Sequence, residues 1–263
     1  MNIEVPDARS IAERLPRDTV FRRVEVLAST GSTNADLAAR ARDGETEGTA
    51  LIAMEQTAGR GRLDRQWVSP PGMSISMSLL LAPRPDLTQW GWLSILAGMA
   101  VSSALTSVAP DPSAVTLKWP NDVLIGGRKV CGILSERIER VDGARAVIGI
   151  GINVGLTREQ LPVPNATSLA LEGFPTHPEP LVAGVLGHFD RYYRSWSLRG
   201  SLRDEYEERC ASIGAPLTVV LDATHSVSGT GRGVDEYGRL QVATASGIET
   251  FAVGDVVHAR LVG

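Results

Sequence analysis

The chain has 263 residues, 43% hydrophobic and 21% charged, a balance that suits one sizeable core, alone or with a small appendage, and excludes a disordered or fibrous protein. Its acidic residues outnumber its basic ones, 30 to 26, and the formal net charge of −4 leaves no global basic field to gather nucleic acid. Cys131 and Cys210 form no C-x-x-C pair and His177, His188, His225 and His258 show no metal-ligand spacing, so neither a disulfide framework nor a zinc signature is present.

Met1 to Ser10 carries Glu4 and Asp7 and lacks the basic-then-apolar order of a signal peptide, so a cytoplasmic protein with reduced thiols is expected. Phe21 to Leu27 alternates like a strand, and Gly31-Ser32-Thr33-Asn34 then offers helix caps before Ala35 to Arg40. Thr49 to Glu55 reads as a second strand and Ser74 to Leu81 as a third, bracketing a Gly- and Arg-rich loop. Trp90 to Ala109 runs 20 residues without a charge, long enough in principle to cross a bilayer. Its five hydroxyl residues and two glycines instead favour a helix buried in an α/β core. Val115 to Trp119 and Asp122 to Ile125 are short strand-like runs, and Gly126-Gly127 turns the chain into Lys129 to Glu139 as a hairpin. Ala146 to Val154 is a further strand, in which Gly149 and Gly151 imply close approach by a ligand or a neighbouring backbone. Helical periodicity returns over Glu179 to Trp196 and Leu202 to Cys210. From Gly214 onward, short alternating strands separated by glycine turns suggest a small β-barrel.

Chemistry concentrates in Gly59-Arg60-Gly61-Arg62-Leu63-Asp64-Arg65-Gln66-Trp67, where three guanidinium forks surround one point and suit a polyanion. On its own the stretch reads equally as an exposed basic turn or a loose RNA-binding element. Lys118-Trp119-Pro120-Asn121-Asp122 is, alone, ordinary turn chemistry, and Lys129 an ordinary hairpin cation. No Gly-Lys-Ser/Thr occurs, and no G-x-G-x-x-G is completed, which disfavours P-loop and Rossmann chemistry.

Taken in order, Gly31-Ser32-Thr33-Asn34, Gln56-Thr57-Ala58-Gly59-Arg60-Gly61-Arg62, Lys118-Trp119-Pro120-Asn121-Asp122, Lys129-Val130-Cys131-Gly132-Ile133-Leu134 and Gly149-Ile150-Gly151-Ile152-Asn153-Val154 form a series that resembles the biotin protein ligases. The match runs from about Ser29 to Asn153, and Ala166-Thr167-Ser168-Leu169 and the β-rich tail also fit. The resemblance implies an α/β catalytic domain on a mixed sheet, akin to class II aminoacyl-tRNA synthetases, over residues 1–212, and an SH3-like β-barrel over 213–263. It implies ATP, biotin and Mg²⁺ as ligands and two half-reactions. Biotin's carboxylate attacks the α-phosphorus of ATP, and a lysine of a biotin carboxyl carrier domain of an acyl-CoA carboxylase then attacks biotinyl-AMP. No nucleic acid, membrane or resident metal ion enters.

A buried ureido ring needs hydrogen-bonding partners beside a dry wall, and Ser32, Thr33, Asn34 and Gln56 supply the polar part. Bringing a carboxylate to a triphosphate needs cations, which Arg60, Arg62, Arg65 and Lys129 supply. By resemblance, Arg60, Gly61, Arg62, Lys129 and Gly132 complete the biotin site, with Lys129, Arg62 and Arg60 at the reacting groups. Arg62, Arg65, Trp67, Lys118, Asn121, Asp122 and Asn153 would surround the nucleotide and its Mg²⁺. One departure concerns Asp64, which stands where the family's Gly-Arg-Gly-Arg-x-Gly-Arg loop has its last glycine; its charge could pair with Arg62 or Arg65. About twenty residues precede the first strand, too few for the winged helix that some members carry, so a ligase without repressor function is expected. A lipoate ligase or octanoyltransferase of the same fold is the nearest rival, but its Arg-Arg-x-x-Gly-Gly-Gly and His-Asp signatures are missing. A nucleic-acid-binding module is the rival from another class, and the acidic balance opposes it.

Overall fold

The computed structural model describes residues 5–62 and 65–258. A seven-stranded mixed sheet carries the site, ordered β1-β2-β3-β7-β6-β5-β4. Its strands are β1 (Arg23–Leu27), β2 (Thr49–Ala53), β3 (Ser74–Leu81), β4 (Val115–Lys118), β5 (Asp122–Ile125), β6 (Arg128–Ile138) and β7 (Arg145–Asn153). Only β1 and β2 pair in parallel, across the crossover helix α2 (Thr33–Arg42); the remaining neighbours are antiparallel. Ser32 caps α2 by accepting from the Ala35 amide at 3.4 Å, as the Gly-Ser-Thr-Asn stretch predicts. Gly126 and Gly127 turn the β5–β6 hairpin with φ of 54° and 74°, a left-handed pair that a two-residue turn requires.

The uncharged stretch forms α3 (Trp92–Thr106), which packs between the sheet and α4 (Pro178–Arg199). Thirteen of its fifteen residues are buried, so it needs no polar face. Among the described residues no helix is long and apolar enough to cross a membrane.

Two elements differ from the sequence reading. The polar N-terminal stretch contains a short helix, α1 (Ala8–Glu13), capped by Asp7 and anchored by fully buried Ile11. Tertiary packing, which no local pattern reveals, stabilises so short a helix. The expected helix over Leu202 to Cys210 is only α5 (Arg203–Glu207). Beyond it the backbone turns to the edge of β4, where Leu117 donates to the Arg209 carbonyl and Ala211 donates to that of Leu117. Sheet pairing there takes the groups that a longer helix would have used.

The tail forms a five-stranded antiparallel sheet, β11-β10-β9-β8-β12, from β8 (Pro216–Val220), β9 (Ser226–Val234), β10 (Leu240–Thr244), β11 (Gly247–Phe251) and β12 (Asp255–His258). The last strand pairs with the first, the connectivity of a small SH3-like barrel. Its core residues Leu217, Val219, Leu240 and Val242 belong to the same apolar cluster as α3 and α4. Two tryptophans fasten it: Trp92 Nε1 donates to the Glu236 carbonyl at 2.8 Å and Trp119 Nε1 to that of Gly238 at 3.0 Å.

Because that cluster is continuous, Trp92→Ala should destabilise both sheets in one transition, by about 3–5 kcal/mol. Urea unfolding followed by far-ultraviolet circular dichroism and by tryptophan fluorescence checks this. Two separated transitions would show that the sheets unfold independently.

Candidate functional site

The site is built on one face of the large sheet. Register places Ser76, Gly151, Gly132 and Asp122 in one row across β3, β7, β6 and β5, with Ser78, Gly149 and Leu134 in the next. Side chains alternate along a strand, so both rows face the same way. Three glycines leave the floor bare, and side chains from elsewhere occupy that space. A Cβ on Gly149 would lie 2.3 Å from Asn34 Oδ1, and one on Gly151 would lie 2.4 Å from Trp67 Cε2. One on Gly132 would lie 3.3 Å from both Trp67 Cζ3 and Lys129 Cε. The sequence reading, a ligand or a backbone against Gly149 and Gly151, is corrected: an amide and an indole of this chain fill those seats.

Above the floor is a cavity of about 520 Å³, and all fifteen residues singled out in the sequence line it. At one end stand Ser32, Thr33, Asn34 and Gln56. The Gln56 Oε1 accepts from the Thr33 amide at 2.8 Å, and Ser78, which the sequence did not single out, bonds to Asn34 Oδ1 at 2.6 Å. The Trp67 indole covers the middle, and its Nε1 is buried without a protein partner.

At the other end Asp122 lies between two ammonium groups, 2.5 Å from Lys129 Nζ and 3.0 Å from Lys118 Nζ. Burial pushes its carboxyl up, but Lys129 and then Lys118 oppose it and hold the group below the usual carboxylate value. The backbone of Lys129 is fixed by bonds to the Asn165 carbonyl and the Thr167 amide, both 2.8 Å. Asn153 Nδ2 donates to the Thr167 carbonyl at 3.0 Å, and Asn121 Nδ2 to that of Ile133 at 2.5 Å. Cys131, adjacent to this group, is fully buried and its thiol is pushed up by that burial, so it offers no thiolate nucleophile.

The arginines of the loop are each paired within the chain. Arg60 lies 3.2 Å from Glu136 Oε2. Arg62 donates to Asn121 Oδ1 at 2.9 Å and to the Gly254 carbonyl at 3.1 Å, and sits 3.6 Å from Asp255. Arg65 reaches Asp255 at 2.5 Å. Glu136 and Asp255 were missed in the sequence, where they lie 76 and 190 residues from their partners with no motif around them. Asp64, expected as a partner for Arg62 or Arg65, lies outside the described residues.

The sequence model of the biotin/lipoate A/B protein ligase family matches residues 26–153, and that of the biotin protein ligase C-terminal domain matches residues 213–259. A biotin–[acetyl-CoA-carboxylase] ligase of Mycobacterium tuberculosis is 38% identical over 97% of this chain and 96% of its own length. A ligase of the same name from Paracoccus denitrificans is 32% identical over 88% of this chain and 98% of its own. The solved biotin protein ligase of Aquifex aeolicus, in complex with biotin and ATP, superimposes with a TM-score of 0.75 at 27% identity, over 91% of this chain and all of that one. This chain belongs to the biotin protein ligase family.

Gly151→Ala should displace the Trp67 indole, because the added carbon overlaps its ring. Overpacking typically costs about 1–3 kcal/mol, and a ring carried on a loop should yield toward the low end. Acrylamide quenching of tryptophan fluorescence should rise in Gly151→Ala and not rise in a Trp67→Phe background. A rise in both backgrounds would place the disturbance elsewhere.

Proposed function

We propose that the chain joins biotin to ATP, forming biotinyl-AMP and pyrophosphate, and passes the biotinyl group to a lysine of a biotin carboxyl carrier domain of an acyl-CoA carboxylase. The reaction belongs in the cytoplasm. Residues 1–212 form the catalytic unit and 213–263 the C-terminal one. What supports the reading most is the order of groups along one cavity: neutral hydroxyls and amides, then an indole over a glycine floor, then a cluster of cations around one carboxylate. Biotin and ATP, joined end to end, have that same order of ring, apolar chain and polyanion.

In this reading Ser32, Thr33, Asn34 and Gln56 hold the ureido ring, with Arg60, Gly61, Arg62, Lys129 and Gly132 completing the biotin site. Arg60, Arg62 and Lys129 offset the repulsion between carboxylate and α-phosphate and receive the charge that builds as the bond to pyrophosphate breaks. Arg62, Arg65, Trp67, Lys118, Asn121, Asp122 and Asn153 surround the nucleotide. In the second step the carrier lysine's amine attacks the acyl carbonyl and AMP leaves.

Magnesium binding asks for one or two carboxylates besides substrate phosphates. Asp122 would supply that one carboxylate, with Asn121 and Asn153 lining the same cavity. Among the described residues no cluster of three acidic, His or Cys ligands exists that could cage an ion alone. The ion supplies neutralisation of phosphate charge when bound.

Biotin-dependent pyrophosphate release with ATP and Mg²⁺, lipoate serving as the competing acid and a carrier domain as acceptor, tests the function. Release that follows lipoate and ignores biotin would overturn it. Lys129→Ala is expected to slow that release by about 10²–10³-fold, since the charge beside two approaching anions is lost. The fold should survive, because Lys118 still faces Asp122. A wild-type rate would return Lys129 to the status of a hairpin cation.

Arg62→Gly removes the bonds to Asn121 and Gly254 together, while Arg60, Arg65 and Lys129 remain for the chemistry. The loosened loop is expected to release the reactive anhydride, which then acylates exposed lysines on unrelated proteins. A streptavidin blot of a bystander protein incubated with the variant, biotin and ATP reads this. An unlabelled bystander, with adenylate still forming, would rule out Arg62 as the retaining residue.

A further inference from the structure

One carboxylate at the neutral end of the cavity has no part in the chemistry above. Glu136 lies on β6, two residues beyond Leu134 and on the same face. Its Oε2 accepts from Asn34 Nδ2 at 2.6 Å and from Arg60 Nη2 at 3.2 Å. The Asn34 nitrogen has a second, longer bond to the Leu134 carbonyl at 3.3 Å. With its nitrogen so held, Asn34 turns Oδ1 toward Ser78 Oγ, 2.6 Å away.

Proton counting gives this chain of contacts a direction. A carbonyl oxygen only accepts, so Ser78 is the donor to Asn34. Ser78 Oγ is also placed to donate to Thr33 Oγ1 at 2.7 Å, and Thr33 Oγ1 in turn to Gln56 Oε1 at 3.1 Å. Ser78 has one proton for two acceptors, and the share that Asn34 Oδ1 draws is withheld from Thr33, whose lone pairs are to that extent left to the cavity. Reversing the Asn34 amide would make Nδ2 donate to Ser78 and leave Ser78 to donate to Thr33 alone, using one of those lone pairs inside the wall. Glu136 opposes that reversal, because an ionised carboxylate has no proton to give to Asn34 Oδ1.

We infer that Glu136 is a positioning residue that makes this end of the cavity selective for a cyclic urea, by polarising the Asn34–Ser78–Thr33 chain so that Thr33 accepts from a ring N–H. The inference rests on the reading of the cavity as a biotin site. A wall built to accept from N–H groups rejects acids lacking them, since its buried acceptors are then left unpaired.

The experiment measures pyrophosphate release with biotin and with dethiobiotin, which keeps the urea but lacks the sulfur ring. Glu136→Ala is expected to raise KM for both acids together by about tenfold or more, with kcat at saturating acid within about twofold. A loss of kcat without a change in either KM would mark a merely structural role and overturn the proposal. Asn34→Asp sets a second carboxylate against Glu136 and should raise biotin KM at least as far. Adding Glu136→Gln to Asn34→Asp restores a donor–acceptor pair of the same size while Ser78 still donates to residue 34. Biotin KM should then return to within about threefold of wild type, a coupling that independent sites do not show. Failure of the double variant to recover overturns the inference even where Glu136→Ala does not fold. A wild-type protein with no biotin turnover overturns the site reading itself; turnover without recovery overturns only the role of Glu136.

Discussion

Neutralising cations in advance of an anionic ligand is the constraint on which this structure depends. Arg60, Arg62, Arg65, Lys118 and Lys129 all face one cavity. Like charges about 4 Å apart near a protein surface repel by roughly 4 kcal/mol, so such a group cannot assemble unopposed. Glu136, Asp122 and Asp255 oppose it, one at the neutral end, one on the floor and one on the C-terminal sheet. Among the described lining and partner residues, five positive charges meet three negative ones. The fold is thereby tolerable without a ligand yet still favours an anion. Lys118 and Lys129 illustrate the balance, because sharing the single carboxylate of Asp122 leaves each only half neutralised.

Sheet register is what brings these groups together. Gly132, Gly149 and Gly151 fall on the cavity face only because β6 and β7 pair as they do, Gly132 opposite Gly151 and Leu134 opposite Gly149. A slip of one residue would turn Ile133, Ile150 and Ile152 into the cavity and bury the polar row in the core. The opposite face excludes that slip, since Ile133, Ile148, Ile150 and Ile152 pack into the main apolar cluster beneath α3. Core packing thus sets the position of the bare floor, and the floor sets where Asn34, Trp67 and Lys129 can lie.

Local patterns made much of this legible. Strands β3 and β5 fall where alternation places them, and β6 and β7 within a residue of it. The five short motifs, each weak alone, converge on one cavity because strand ends and adjoining loops carry them to the same sheet face. What stayed hidden was long-range or directional. Glu136 and Asp255 are ordinary exposed-looking acids in sequence, and only the closing of the loop over β6 and against β12 makes them counter-ions. Gly149 and Gly151 announced a close approach correctly, yet spacing alone could not say that Asn34 and Trp67 would be what approaches.

The C-terminal sheet is drawn into the site by the same electrostatics. Trp92 and Trp119 fix the Asp235–Arg239 turn of that sheet to α3 and to the strand-end turn that carries Asn121 and Asp122. Held there, Asp255 reaches both Arg62 and Arg65, and the Gly254 carbonyl takes a further Arg62 donor. Arg62 therefore touches the C-terminal sheet and Asn121 at once, so any shift of that sheet changes the geometry of a cation at the cavity. Detaching the small sheet would leave two arginines without their carboxylate and expose the shared apolar cluster. It is for both reasons part of the site's wall.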